Sequence, residues 1–564
     1  MKRKAALLLS GVMALSAIMG CGSTNSQTAA VTPGGTGTAS EAENTAAAES
    51  TKVKRAEDED GFQPLKERVT LTIGKSESSS DSYEEGDTTG DNFVLRWFED
   101  QLNVDYEYAW TATGDAYSQK SALVISMGDL PDVMTVSETQ MRQLVKADLI
   151  ADLTDAYEAY ASDQLRAAYD TTNGIALKSA TFNGRLMAMP NINPGADGIP
   201  LLYVRSDWME ELGLEEPKTL DDICNIVKAF QKEKDSMGLV ACKSIASVGN
   251  NMYGLDALFA LYHAYPEMWV TDENGNVEYG SIRPETKTAL ESIAKLVQEG
   301  IIDKDFAVKD SDQCNELVTS GKGGIFFGSW WNYSWPLKDM WKTDESIDWN
   351  IYAVPLDGEG IYNVHMMNPS TSYLVVRKDC ENLEAVIKTL NLQRKVDSNE
   401  IKVERPRPEA FVSWTMFPFT ILMTTYDDKE QIWKGLNDVL EGNVSYEDAT
   451  ERIRTTYDSW KYVQDHGKKK AVEDQKASDY GWAIGSRAIV EAEDHMNRVY
   501  ASTYSHSETM DKKWATLEKL EDETFLQIIL GEKPIEEFDH FVEQWKSLGG
   551  DEITAELQQM VSAQ

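Results

Sequence analysis

Val69-Thr70-Leu71-Thr72-Ile73 alternates apolar and hydroxyl side chains, the two-residue period of a half-buried strand. A helix pattern follows from about Asn92 to Leu102, and Val104 to Trp110 reads as a second strand. Outward from this unit the alternation repeats. Gly128-Asp129-Leu130-Pro131-Asp132-Val133-Met134 is a turn feeding a short buried strand. Thr219 to Phe230 is the clearest helix: Thr219 and Asp222 form a capping-box pattern, and Leu220, Ile223, Cys224, Val227 and Phe230 share one face. Another helix begins at Pro284, a natural first-turn residue, and stops at Gly300, with Leu290, Ile293, Ala294 and Val297 inward. Gly324-Ile325-Phe326-Phe327 is a short buried strand, and Ser372 to Arg377 is a strand leading into a helix from about Asn382. The last hundred residues are mostly helical and acidic, and no internal repeat is found. Repeated strand–helix alternation predicts α/β lobes.

From about Phe62 onward roughly 500 residues remain, too many for one small core and enough for two or more large lobes. Ahead of them, Lys2, Arg3 and Lys4 precede an apolar run from Ala5 to Gly20. That run is too short to cross a bilayer, so residues 1–20 read as a signal peptide. Ile18-Met19-Gly20-Cys21 is similar to a bacterial lipobox, in which the cysteine is lipidated and becomes the first mature residue. An ordinary signal peptide with an incidental cysteine is the alternative. Residues 22–60 hold no aromatic residue and almost nothing large and apolar. They cannot bury enough surface to offset their ordering entropy. Residues 21–60 are therefore expected to be a lipidated cysteine and a disordered tether spanning about 35 Å on average. The membrane would be engaged through the lipid alone.

The formal net charge is −40, and removal of Lys2, Arg3 and Lys4 takes it to −43. Such a surface repels nucleic acid and anionic headgroups, so neither is an expected partner. Beyond Cys21, the cysteines at 224, 242, 314 and 380 are widely spaced and form no C-x-x-C pair. They read as four scattered buried thiols, although an exported chain would permit a Cys224–Cys242 bridge.

The six histidines show no H-E-x-x-H spacing, and no G-x-S-x-G elbow occurs. Ser320-Gly321-Lys322-Gly323 lacks the flanking glycine and hydroxyl residue of a phosphate loop and reads as a turn. Asp272-Glu273-Asn274-Gly275-Asn276 mimics a calcium loop for five positions, then offers Val277 and Arg283 where glycine and glutamate are needed. A hairpin turn fits better. With 94 acidic residues, no carboxylate pair can be singled out as a glycosidase acid and base. No metal, cofactor or catalytic residue is expected.

One constellation does stand out. Five of the chain's 15 tryptophans, Trp330, Trp331, Trp335, Trp341 and Trp349, fall within one short stretch, with Tyr333 among them. A flat indole face matches the C–H face of a pyranose ring, while flanking Asn and Asp supply hydrogen bonds. Trp341 and Trp349 read as core. Trp330 and Trp331 follow a Gly328-Ser329 turn that favours display at a strand end.

Leu201-Leu202-Tyr203-Val204-Arg205-Ser206-Asp207-Trp208-Met209-Glu210-Glu211-Leu212-Gly213-Leu214, with Pro217-Lys218-Thr219, resembles a signature of the family 1 extracellular solute-binding proteins. Gly128 to Val133, the run Ser320 to Gly324 with Gly328 to Trp331, and Gln544 to Gly550 resemble further signatures of that family, in order. The similarity is strongest to the lipoprotein branch of Gram-positive sugar importers. It implies a type II periplasmic-binding-protein-like fold, with two α/β lobes joined by a hinge and a ligand clamped in a central cleft. Lobe 1 would comprise residues 61–190 and about 370–440; lobe 2 would comprise 191–369 and about 441–564. Family relatives often carry a calcium loop after the Pro217-type helix, but Lys232 to Gly238 lacks the ligand set.

The resemblance implies cleft-facing residues at Glu138 in the first lobe, Asn191 and Asn193 at the hinge, and Tyr203, Arg205, Trp330, Trp331, Asn332 and Tyr333 beyond it. Trp110 and His365 join them as polar-tipped groups near predicted strand ends. The function implied is a monomeric, lipid-anchored receptor on the extracellular face of the membrane. It would deliver a sugar or oligosaccharide to the permease subunits of an ABC importer. A surface glycoside hydrolase would also want an aromatic cleft, and the same fold serves receptors for peptides and other solutes.

Overall fold

Three parallel strands form the heart of the first sheet: Val69–Glu77 lies between Val104–Thr113 and Val133–Val136. Tyr373–Val376 adds antiparallel to Val133–Val136, and Met189–Pro190 closes the far edge. In this computed structural model, residues 61–78, 81–246, 252–398, 400–407 and 410–562 are described, and all fall in one compact unit. The expected signal peptide, the lipidation site Cys21 and the tether lie outside the described residues. A register shift between Ile73 and Gly74 pairs Gly74 with Trp110. The reason is steric: a Cβ on Gly74 would lie 2.4 Å from the Trp110 ring. The crossover helix Phe93–Leu102 begins where Asn92 accepts a hydrogen bond from the Leu95 N–H at 3.0 Å. It buries Phe93, Val94, Leu95, Phe98 and Leu102 and packs beside Leu383–Asp397.

The second sheet is antiparallel, with Leu201–Arg205 between Ile325–Gly328 and Trp349–Tyr352. All five residues of the central strand are buried, which explains its continuous rather than alternating apolar character. The helix Leu220–Lys234 carries the expected capping box between Thr219 and Asp222, and Pro284–Gln298 starts on its proline. Asp272 to Asn276 turns the hairpin between Trp269–Thr271 and Val277–Tyr279, where Asp272 accepts hydrogen bonds from the Asn274 and Asn276 N–H groups. Trp341 and Trp349 are buried, as are the free thiols Cys224, Cys242, Cys314 and Cys380.

Three chain segments run side by side from one sheet to the other. The Asn191 N–H bonds the Ser372 carbonyl, the Ile192 N–H bonds Leu422, and the Gly195 N–H bonds Tyr426. Beyond this crossing, the helices Glu430–Glu441, Glu451–His466 and Ala477–Glu491 pack on one another, and the last of them lies against the second sheet. Close approach there depends on two glycines one helical turn apart. A Cβ on Gly481 would lie 2.7 Å from the Ser334 nitrogen, and one on Gly485 would lie 1.7 Å from the Trp330 carbonyl oxygen.

Candidate ligand-binding site

The loop residues 410–417 are tied to the carboxyl ends of the first-sheet strands, the position where open α/β sheets bind ligands, and residues 401–407 lie beside the same groove. Lys75, buried at the end of its strand, donates to the Phe417 carbonyl, and Thr415 donates to Asp81. The Thr420 hydroxyl bonds the Ser76 carbonyl at 2.8 Å. Burial without a full counter-ion pulls the Lys75 amine down to about 7.

Between this loop and the helices Glu451–His466 and Ala477–Glu491 lies a cavity of about 1050 Å³. Its walls come from two sides: Val396, Asp397, Trp414 and Phe417 beside the first sheet, and Glu451, Thr455 and Trp482 on the two helices. Phe411, Trp414 and Trp482 are 38%, 37% and 38% exposed. Aromatic rings of this size ordinarily bury themselves, so three displayed around one groove mark it as a binding surface.

Behind Trp482 stands Trp330, its ring centroid 6.5 Å away. The Trp330 indole donates to Asp197 at 2.8 Å, and the Lys429 ammonium lies 5.2 Å over its ring. Lys429 and Arg452 both pair with Asp428 and hold its carboxyl well below the usual range, although burial works against this. Lys402 pairs with Glu451 at 2.7 Å across the groove. Asp397 differs from these groups. Burial raises its carboxyl to about 7, against the Arg394 charge and a hydrogen bond from the Met423 backbone. Its Oδ2 is buried with no hydrogen-bond partner among the described residues.

The residues expected from sequence fall in several places. Trp330 backs the groove but is only 6% exposed, because Gly481 and Gly485 let a helix close over its turn. Trp331 is half-buried and pairs with the exposed Trp335 at 5.9 Å. Asn332 is fully buried and holds the turn, accepting from the Ser329 N–H at 2.6 Å. Tyr333 donates to Asp348 at 2.7 Å from within the core. Tyr203, also fully buried, donates to the Ser329 carbonyl at 2.6 Å and stacks on Phe326. Arg205 is buried, paired with Asp207, and lies 4.3 Å over the Trp208 ring. These four are occupied in building the second sheet and the turn that follows it.

Asn191 knots the crossing segments. Its Oδ1 accepts from the Thr371 and Ser372 N–H groups, and its amide donates to Asn193 at 2.7 Å. Glu138 opens its helix just after the Ser137 cap and pairs with Arg142 at 2.7 Å, which also donates to Ser505. Trp110 packs on Gly74 and, at 5.0 Å, on Tyr117. His365 is buried 3.6 Å from Asp256, and burial pulls its imidazole down to about 4. Sequence reasoning missed Asp397, Phe411, Trp414 and Trp482. The one local signal was the Gly481-x-x-x-Gly485 pair, a helix surface flat enough to dock on another segment with Trp482 beside it.

At the predicted break in the calcium loop, Asp235 ends its helix and pairs with Lys322 at 2.7 Å. Among the described residues no group of His, Cys, Asp and Glu side chains is arranged to hold a metal ion.

Two α/β lobes, crossing segments between them and a wide aromatic groove define a solute-binding protein of the type II two-lobed fold. The chain belongs to the bacterial extracellular solute-binding proteins, whose family model matches residues 82–392. It is 24% identical over 241 residues to the polygalacturonan/rhamnogalacturonan-binding protein YtcQ of Bacillus subtilis, covering 42% of this chain but only 46% of that relative. Lipoprotein LipO of the same organism is 23% identical over 83% of this chain and 88% of its own length. The fructooligosaccharide ABC transporter substrate-binding protein FusA of Streptococcus pneumoniae is 24% identical, covering 58% of this chain and 62% of FusA. A FusA structure in complex with fructo-nystose superposes with a TM-score of 0.56 at 17% identity, over 88% of this chain and 99% of that one. An HMO-binding, ABC-transporter-associated solute-binding protein from Bifidobacterium longum infantis gives 0.57 at 15% identity, over 88% and 98%.

Proposed function

We propose that this protein is a lipid-anchored receptor, tethered through Cys21 on the extracellular face of the membrane. It captures a sugar or oligosaccharide in the groove and delivers it to an ABC importer. The observation that carries this reading is the groove itself, where Phe411, Trp414 and Trp482 display aromatic faces between two lobes. Stacking on such faces, with hydrogen bonds from a few polar groups, is how a polar but C–H-rich ring is held. Names of relatives that bind polygalacturonan and fructooligosaccharides support the ligand class.

The crossing segments around Asn191 act as the hinge, with lobe 1 at residues 61–190 and about 370–440. Ligand favours the closed arrangement, and the permease reads that form. The protein acts as a monomer and performs no chemistry on its ligand. A thermal-shift panel of saccharides and peptides tests the reading. At a hundredfold excess over the dissociation constant a cognate saccharide adds about 2.7 kcal/mol of apparent stability. Stabilisation by peptides alone, or a saccharide recovered in cleaved form, would overturn it.

A further inference from the structure

Resting on the reading of the groove as a saccharide site, we propose that its occupant is an uncharged oligosaccharide of at least two rings. Asp397 is the hydroxyl acceptor that selects this occupant over a uronic acid.

The charge inventory carries the first part. A bound uronate needs a cation whose charge is not already spent. Lys402 is paired with Glu451, which also accepts from Arg454 at 3.2 Å. Lys429 and Arg452 are committed to Asp428, and Arg405 on the groove wall is itself engaged. Arg394, the cation acting on Asp397, does not line the groove. A carboxylate entering here must break an existing pair or stay unpaired, and either is costly when the site closes and water leaves. The net charge of −40 adds long-range repulsion.

Asp397 carries the second part. A buried acceptor without a donor costs free energy, so the unpartnered Oδ2 of Asp397, a residue that lines the cavity, calls for a donor that reaches it as the site closes on a ligand. A sugar hydroxyl supplies one; a second carboxylate would meet like charge. The charges facing Asp397 are Arg394 on its own helix and Asp428 ahead of the Glu430–Glu441 helix. Size supports more than one ring: about 1050 Å³ slightly exceeds the range of ordinary small-molecule cavities, roughly 300–1,000 Å³. Its exposed aromatics also stand on two elements, Phe411 and Trp414 on the loop and Trp482 on the Ala477–Glu491 helix, which offers faces to more than one ring.

The test is isothermal titration calorimetry of the intact mature protein. The ligands are neutral fructo-, gluco- and xylo-oligosaccharides of two to five rings and oligogalacturonates of matched length. Titrations use buffers of differing ionisation enthalpy. A neutral oligosaccharide should bind and release protons near pH 7, because a hydroxyl donor favours the ionised carboxyl. Asp397→Asn should weaken it about ten- to hundredfold and abolish the proton release. In the wild type, affinity for the neutral ligand should rise from pH 6 to pH 8, a readout independent of how the variant folds. Tighter binding of oligogalacturonates than of every neutral probe would overturn the inference while leaving the saccharide reading intact. Unchanged affinity and proton release in a folded Asp397→Asn would overturn the role of that residue. Binding of no saccharide of either kind would remove the saccharide reading and this inference with it.

Discussion

Gly485 lies directly beneath Trp330: a Cβ added to the glycine would stand 1.7 Å from the tryptophan's carbonyl oxygen. That contact seats the Ala477–Glu491 helix on the second sheet, and the same helix presents Trp482 to the groove. Exchange of Gly485 for alanine therefore sets two effects in opposition. In an exposed helix the change would stabilise by about 1 kcal/mol. Here it should destabilise by about 1–3 kcal/mol through overpacking and should also weaken ligand binding. Urea unfolding without ligand checks the sign, and a stabilised Gly485→Ala would mean that the helix is seated differently.

Trp482 and Trp330 should separate cleanly by mutation. Trp482 is displayed, so Trp482→Ala should leave the unliganded melting curve nearly unchanged and cost about 1–3 kcal/mol of saccharide affinity. Trp330 is buried and bonded to Asp197, so Trp330→Ala should lower the melting temperature without ligand. Paired melting and affinity measurements decide, and the reverse pattern would move the binding surface to the other indole.

Asp397 gives a pH signature to stability. Its folded-state value is raised from the usual carboxylate range to about 7, so between about pH 4 and 7 the folded chain holds a proton that the unfolded chain has released. Its contribution to stability is therefore greatest at the acidic end and falls as pH rises toward 7, with a limiting slope of about 1.4 kcal/mol per pH unit. Asp397→Asn should remove that fall, so the difference between the wild-type and variant stabilities should change steadily with pH across that window. A variant curve parallel to the wild type from pH 4 to 7 would show that Asp397 is ionised throughout.

Much of the architecture is written locally, and this is why it could be read. Asn92, Thr219 with Asp222, and Pro284 start helices because each satisfies or spares a backbone N–H within its own turn. The Asp272 turn is likewise closed by its own side chain. The groove is a different kind of object. Asp397, Trp414 and Trp482 come from separate parts of the chain and meet only through the crossing segments. The density of aromatics near Trp330 points to the neighbourhood of the groove, since Trp482 stands 6.5 Å from that indole. The turn after Gly328 suggested display, yet whether an indole is displayed depends on what covers it, and Gly481 and Gly485 lie 150 residues further on. Tyr203 and Tyr333 show the same limit: each has a polar tip suited to a ligand, but each spends it on the second lobe's own backbone or side chains.

Maturation at Cys21 can be examined without reference to the groove. Cys21→Ser should leave the protein unprocessed or soluble, with an unchanged melting temperature for the folded body. Membrane fractionation with mass spectrometry of the N-terminus reports the outcome. Retention of a processed, unacylated chain at the membrane would refute the tether.

The central claim is that a saccharide is held in the groove between Trp414 and Trp482. The most direct measurement is a crystal structure of the mature protein with the oligosaccharide that gives the largest thermal shift. A sugar ring should lie against the Trp482 indole, with a hydroxyl within hydrogen-bonding distance of Asp397 Oδ2 and further rings toward Trp414 and Phe411. A saccharide bound elsewhere, against Trp110 and Glu138 with the groove left to solvent, would contradict it.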